Sequence, residues 1–342
     1  MAYQESRWFK FFNEQQLSAN QATLLAKYAQ TLESNSVPVI FEIEHLSKLL
    51  GMELSLLSRM TGASSLFYRQ FSLKKRSGGV RFIDSPYPKL AYVQRWIKNN
   101  ILETRPVSSS AFAYVQGGSH IENARKHIGA KELLKIDLVD FFGHISFSSI
   151  VSIFEECGYS RSVSTQLAKL CTLWGKLPQG APTSPVISNL VLLALDKRLQ
   201  NLSDKNGLVF TRYADDLCFS GNEITEEFYS SVYDTLENEG FVVNEKKSGF
   251  VLGNKRKLIT GLVVSESGVR VPKKMRREYR KQAHYMIKNG IEQLNGELGI
   301  FDPLYIDEVI GKGQYILSVE PDNAYVKESL CKLSKLKSDL LV

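Results

Sequence analysis

Cysteine is scarce in this chain. Among 342 residues there are four, Cys157, Cys171, Cys218 and Cys331, and none belongs to a C-x-x-C pair. That spacing argues against a zinc site and against a disulfide framework. Long apolar runs are missing too, so no segment has the length needed to cross a bilayer. The stretch from Met1 to Phe12 mixes Glu, Arg and Lys with aromatics and lacks the uninterrupted apolar core and small-residue cleavage site of a signal peptide. A cytoplasmic protein without a membrane partner is the expectation. Repeats and low-complexity linkers are also lacking.

What is present is an ordinary globular composition, 43% hydrophobic and 23% charged, with a net charge of +7 and a pI of about 9.0. Excess lysine and arginine suits a polyanionic partner, because neutralising phosphates releases counterions. Many unrelated proteins are equally basic, so the motifs must decide.

Residues 1 to about 60 read as helical, with apolar spacing through Leu24, Leu25, Tyr28 and Leu32, a break at Pro38 and a second stretch from Ile43 to Met60. Leu66 to Ile83 reads as a basic hairpin around Ser77-Gly78-Gly79, with Lys74, Lys75 and Arg76 on one side and Arg81 on the other. A helix is expected over Leu90 to Leu102 and a strand over Leu133 to Leu138, where Leu134, Ile136 and Leu138 alternate with Lys135 and Asp137. Helices are expected at 147–157 and 161–173, a loop from Leu177 to Pro185, and a helix from about Val186 to Leu202. Gly207 to Ser220 reads as a hairpin with Asp215 and Asp216 at its bend, followed by a helix near 225–239 and strands near 241–243 and 258–264. From about Val271 the chain reads as helical and basic. Met275, Tyr279, Ala283, Met286, Ile287, Ile291 and Leu294 share one face, and Lys273, Arg276, Arg277, Arg280 and Lys281 cover much of the rest.

An Asp-Asp pair at a turn is, taken alone, most often a solvated hairpin tip. Here apolar strands containing Phe210 and Phe219 flank it, and two like charges held together in such a setting call for a cation between them. Magnesium favours carboxylate oxygens, and two such ions can stabilise both the attacking and the leaving oxygen of a phosphoryl displacement. Asp137, leaving a strand 78 positions before Asp215, can supply a third carboxylate if the two strands are neighbours.

Tyr213-Ala214-Asp215-Asp216 resembles the Y-x-D-D signature of reverse transcriptases, and further signatures stand in the family's order. Asp137 through Phe142 resembles the first palm motif, Leu177-Pro178-Gln179-Gly180-Ala181-Pro182-Thr183-Ser184-Pro185 the nucleotide-pocket motif, and Gly240 to Ser248 the later Asn-x-x-Lys motif. The resemblance spans roughly residues 66 to 264. It implies an α+β right-hand polymerase: residues 1–60 an N-terminal helical extension, 61–134 and 145–185 fingers, 135–144 and 186–265 a ferredoxin-like palm, and 266–342 a helical basic thumb. It also implies that Asp137, Asp215 and Asp216 are catalytic and hold two Mg2+ ions. Phe142 resembles the steric gate that excludes a 2′-hydroxyl, with its neighbour Phe141 as core. Gln179 and Gly180 resemble residues lining the nucleotide pocket. Lys75 and Arg81, with Lys74 as alternate, match the residues that grip the triphosphate of a dNTP. Lys247, beside Lys246, resembles the lysine that protonates leaving pyrophosphate.

Asn123-Ala124-Arg125-Lys126-His127 resembles the N-A-x-x-H signature of bacterial retron reverse transcriptases, and Ile259-Thr260-Gly261 their V-T-G signature with Ile for Val. That resemblance implies RNA contacts near Asn123 and His127, with His127 binding or structural rather than acid-base. Its implied partners are a cognate structured non-coding RNA, the DNA product copied from it, and a separate effector protein in anti-phage defence. Priming is implied to use the 2′-hydroxyl of an internal guanosine, giving a branched RNA–DNA hybrid. In that setting Arg276, Arg277, Arg280 and Lys281 are expected to contact RNA phosphates. The alternatives are a group II intron-like or other bacterial reverse transcriptase, or a non-catalytic RNA-binding scaffold that restrains a toxin. The intact acids, Gln179 and the basic hairpin argue against the scaffold.

Overall fold

Hydroxyl side chains start most of the helices for which a cap is formed. Ser6, Ser18, Ser119, Ser146, Ser160 and Thr225 each accept a hydrogen bond from a first-turn amide, and Ser18 with Gln21 completes a capping box. A computed structural model of the chain describes residues 6–75, 78–253, 255–298 and 304–340, with side chains at 291–298 and 340 left aside. Arg76 and Ser77 of the expected turn, and the side chains of Ile291 and Leu294 on the expected helical face, lie outside the described residues.

Helices Arg7–Glu14, Ala19–Ser34, Ile43–Leu49 and Leu54–Gly62 form the N-terminal layer. The second of them buries Ala22, Ala26, Ala29 and Leu32, while Leu24 is exposed. The expected helix forms, with Leu32 in the core and Tyr28 packed against it; Leu24 alone of the expected apolar positions is exposed, and small alanines fill the rest of the buried face. Strands β1 (Tyr68–Lys74) and β2 (Val80–Pro86) then pair as an antiparallel hairpin, and β1 is exposed beyond Tyr68.

The central sheet carries β3 (Glu132–Asp137), β4 (Val209–Tyr213), β5 (Asp216–Gly221) and β6 (Gly249–Val251) in the order β4-β5-β3-β6. Every neighbouring pair in it is antiparallel. Helices Phe147–Glu156, Arg161–Cys171, Ser184–Val191 and Leu193–Lys205 lie between β3 and β4 in the chain, and Glu226–Asn238 lies between β5 and β6. This β-α-β-β-α-β succession is the ferredoxin-like palm. The expected single helix from Val186 to Leu202 is two helices meeting at Leu192. No strand forms at 241–243; Val243 makes only a single bridge to Leu138. The Asn244 amide bonds the Asp137 carbonyl at 2.8 Å, so the chain turns there and reaches the sheet edge later, as β6.

The expected strand 258–264 is instead a tight hairpin of β7 (Lys257–Ile259) and β8 (Leu262–Ser265), extended by β9 (Gly268–Arg270). Its bend places Thr260 at φ 46° and Gly261 at φ 83°, a left-handed pair that ends a strand. This small sheet shares a core with the C-terminal helices Lys273–Leu298, Tyr305–Val319 and Ala324–Leu340 through Ile259, Leu262, Val264, Tyr279, Ala283 and Met286. A larger core joins the N-terminal helices to the helical face of the palm through residues such as Leu134, Ile136, Phe154 and Phe219. No helix among the described residues is long and apolar enough to cross a membrane.

Candidate active site

Period-two alternation along β3 sends Leu134 and Ile136 into the larger core and puts Lys135 and Asp137 on the opposite face. Antiparallel pairing of β3 with β5 sets Asp137 directly across from Asp216. Like charges so opposed repel, and the fold answers with ammonium groups. Lys135 Nζ lies 3.1 Å from Asp216 Oδ1, and Lys247 Nζ lies 3.0 Å from both carboxylate oxygens of Asp137. Asn244 Nδ2 donates to Asp137 Oδ2 at 3.2 Å, and the Asp137 amide donates to Ser248 Oγ at 2.9 Å. The Gly240–Ser248 motif thus wraps the end of β3.

Asp215 sits at the bend between β4 and β5, after Ala214 with φ 57°, and its carbonyl accepts from the Leu138 amide at 3.1 Å. Burial pushes the Asp215 carboxyl above the ordinary range, and the Asp216 and Asp137 charges add to that, against its own backbone amide and Lys247. Burial works against the Lys135 ammonium, yet Asp216 holds its pKa above the usual lysine value. Among the described residues no group of three acidic, histidine or cysteine side chains is gathered as a closed cation cage. The donor set still fits a hard divalent cation: it is oxygen only, Asp215 makes no ion pair among the described residues, and the ammonium on Asp137 belongs to a side chain 59% exposed.

Asp137 and Asp215 open onto a cavity of about 520 Å³, whereas Asp216, paired with Lys135, does not line it. Lys75, Arg81, Phe142, Gln179, Asp137 and Lys247 all line it, so residues spread over more than 170 positions converge as expected. Phe141 and Phe142 both line the cavity, Phe141 as a buried core residue and Phe142 half-buried, with its ring 6.5 Å from that of Tyr114. Gly180 lies behind the wall. It has φ 132°, and a Cβ there would meet the Asp84 carbonyl oxygen at 2.9 Å, so only glycine fits where the motif loop backs onto β2. The Asp84 amide bonds the Gln179 carbonyl at 2.8 Å, joining the basic hairpin to the pocket wall. Lys74, at the end of β1 opposite Val80, does not line the cavity.

Two expected RNA contacts are corrected. Asn123 and His127 are each 1% exposed, closed off from any RNA by the packing of helix His120–Arg125 on the palm. His127 instead bridges two strands, with Nδ1 2.6 Å from Ser220 Oγ and Nε2 2.7 Å from Thr211 Oγ1, and burial depresses its pKa to about 4. The second short motif touches the same helix: Thr260 Oγ1 donates to the His120 carbonyl at 2.9 Å. The His120 ring stacks on Tyr315 of the C-terminal helices at 5.7 Å. Arg277, Arg280 and Lys281 are exposed on the helix Lys273–Leu298, and Arg280 lies over the Tyr325 ring.

Several residues at the site were not singled out beforehand. Lys135 shares a face with Asp137 by simple alternation, so the signal was present. Asn244 and Ser248 lie within the Asn-x-x-Lys stretch. A second cavity of about 970 Å³ at the far end of β3 is lined by Lys131, Lys255, Arg256, Arg270, Lys273 and Arg276, and only Arg276 among them was expected to bind RNA. Nothing local in the sequence joins Lys131 to Arg270; the packing of the small sheet against the palm does.

The family model described as reverse transcriptase (RNA-dependent DNA polymerase) matches residues 73–287. Retron Ec86 reverse transcriptase of Escherichia coli is 31% identical over 282 residues, covering 80% of this chain and 88% of the relative. Retron Mx162 reverse transcriptase of Myxococcus xanthus is 32% identical over 344 aligned positions, covering 89% of this chain and 69% of the relative. A solved telomerase from Candida albicans aligns over 79% of this chain and 63% of that chain at 11% identity, with a TM-score of 0.46, too low to carry an argument. With the family match running from the basic hairpin through the palm and into the C-terminal helices, the chain belongs to the retron-type reverse transcriptases and is an RNA-directed DNA polymerase.

Proposed function

We propose that this polymerase copies a cognate structured non-coding RNA from the 2′-hydroxyl of an internal guanosine, yielding branched single-stranded DNA, and that Asp137, Asp215 and Asp216 form its reacting centre. The observation that carries the reading is the facing of Asp137 and Asp216 across adjacent strands beside Asp215, with Asp137 and Asp215 lining a cavity that the basic hairpin also lines.

In this reading the three carboxylates hold two Mg2+ ions, which supply electrostatic stabilisation of the attacking and leaving oxygens. Lys75 and Arg81 bind the triphosphate of the incoming deoxynucleotide, and Lys74 approaches from the same hairpin. Phe142 closes the floor under the sugar and excludes a 2′-hydroxyl. Gln179 orients the base and sugar, with Gly180 letting the loop lie close. Lys247 begins on Asp137 and is placed to give a proton to departing pyrophosphate.

In this reading the fingers are 61–134 and 145–185, the palm 135–144 and 186–265 and the thumb 266–342, with β7 to β9 sharing the core of the C-terminal helices. Lys131, Arg256, Arg270 and Lys273, which make no ion pair among the described residues, join Arg276, Arg277, Arg280 and Lys281 as the surface that follows RNA phosphates. The protein works in the cytoplasm, in anti-phage defence with a separate effector protein. Its relatives' names tie them to retrons, which supports this setting.

The test is recovery of nucleic acid from cells expressing the gene with its natural upstream region, comparing wild type with Asp215→Asn. Short DNA branched from RNA in the wild type alone supports the reading. Linear complementary DNA would keep the polymerase and reject branched priming, and bound RNA without DNA in both samples would favour a scaffold.

A further inference from the structure

Leu173 and Lys176 close a two-residue turn, each amide bonding the other's carbonyl, at 2.9 and 3.0 Å. Both central residues are left-handed, Trp174 at φ 51° and Gly175 at φ 73°. Turns of this kind favour asparagine, aspartate or glycine first, because a larger side chain is strained there. Tryptophan is a costly occupant, and its core neighbours do not need it. Leu173 and Leu177 are each 3% exposed and anchor the turn, whereas Trp174 is 68% exposed. Among the described residues the indole has no stacking or cation–π partner.

Its position is specific. Trp174 lines the catalytic cavity together with Phe142, Gln179 and Asp215, and it also lines an adjoining trough of about 370 Å³. Ser64, Ser65, Thr61 and Lys169 supply the polar lining of that trough, and Lys169 makes no ion pair among the described residues. A flat, unpartnered ring therefore stands between the reacting centre and a side channel offering hydroxyls and one ammonium. Strain held in an exposed aromatic at such a boundary points to a ligand with a π-face.

We infer that Trp174 is a positioning residue that stacks on the unpaired template base just ahead of the copied one, while the trough takes the sugar–phosphate of that single strand. A triphosphate would call for several cations, and those stand on the opposite hairpin; a single ammonium with hydroxyls suits one phosphodiester. This rests on the carboxylate cavity being the polymerising centre, which wild-type synthesis on any primed template checks separately.

The experiment is steady-state synthesis on two primed RNA templates, one with a single unpaired template nucleotide and one with a long single-stranded overhang. Wild type is compared with Trp174→Ala, Trp174→Phe and Trp174→Asn. The expected result is that Trp174→Ala and Trp174→Asn raise the KM of the long-overhang template about tenfold, the effect of losing one base–aromatic stack. The KM for deoxynucleotide and the single-nucleotide template change little, and Trp174→Phe keeps most of the wild-type value. Trp174→Asn, which suits the left-handed turn, keeps or raises the melting temperature, so a loss of template binding in that variant is not a folding defect. Equal KM values for both templates in all four proteins would overturn the inference, as would a change confined to the deoxynucleotide KM, which would place the nucleotide's base on the ring instead.

Discussion

Arg212 and Asp196 form an ion pair in which neither side chain is exposed: Arg212 Nε and Nη2 donate to the two Asp196 carboxylate oxygens at 2.7 and 2.6 Å. Arg212 also reaches Asn189 Oδ1 at 3.1 Å and the Ala214 carbonyl at 3.4 Å, one residue before Asp215. The pair therefore supports the carboxylate bend from beneath. Asp196→Ala leaves a buried guanidinium uncompensated and is expected to cost about 3–5 kcal/mol, read from urea unfolding. A loss below about 1 kcal/mol would mean that the bend stands without the pair.

Asp215→Asn and Asp216→Asn are each expected to abolish DNA synthesis with RNA affinity unchanged, measured by primer extension and filter binding on the same preparations. Synthesis persisting in either variant would remove that residue from the reacting centre.

Stability should depend on pH through His127. Its folded pKa is depressed from the ordinary 6.5 to about 4, so the unfolded chain binds the proton first as pH falls. The stability from burying a neutral ring is complete above pH 6.5 and is lost progressively toward pH 4, by about 3 kcal/mol in all. His127→Gln should flatten that part of the stability–pH curve. An unchanged slope would assign the acid sensitivity to carboxylates.

Phe142→Ala is expected to admit ribonucleotides, seen as a fall in the ratio of deoxynucleotide to ribonucleotide kcat/KM. Phe141→Ala, by contrast, opens a hole in the core and should act on stability, by about 3–5 kcal/mol, more than on sugar choice. If selectivity moved with Phe141 rather than Phe142, the gate would be misassigned.

Neutralising Arg276, Arg277 and Arg280 is expected to weaken RNA binding and reduce the slope of log affinity against log salt by roughly 0.7–0.9 per lost phosphate contact. Lys131, Arg270 and Lys273 together should behave alike. A salt slope unchanged in both sets would make these cations an ordinary solvated face.

The candidate active site was legible because its residues sit in contiguous stretches. Asp137, Asp215, Gln179 and the basic hairpin stand in short recognisable stretches and line one cavity, and Asp216 meets Asp137 by strand pairing. What the sequence hid depends on long-range pairing. Asn123 and His127 lie in a short polar motif that reads equally as a contact surface or an internal fastener. Only the hydroxyls of Thr211 and Ser220, more than 80 positions away, decide for the fastener. The strand mistakenly placed at 241–243 has good strand residues, but Asn244 spends its amide on Asp137. In the helix Ala19–Ser34 the apolar spacing shows Leu32 and Tyr28 as core but not Ala22, Ala26 and Ala29, because alanine is a weak hydrophobic signal and yet an effective one where helices pack tightly.

Lys135 and Lys247 have one more consequence. Each already answers one of the two facing carboxylates, so the folded state does not borrow its cohesion from an outside ion. The protein is therefore expected to stay folded under a chelator, with synthesis waiting on a divalent ion. Unfolding curves in EDTA and in magnesium should nearly superimpose while synthesis switches completely between them, which makes the ion a starting signal for chemistry rather than a structural part.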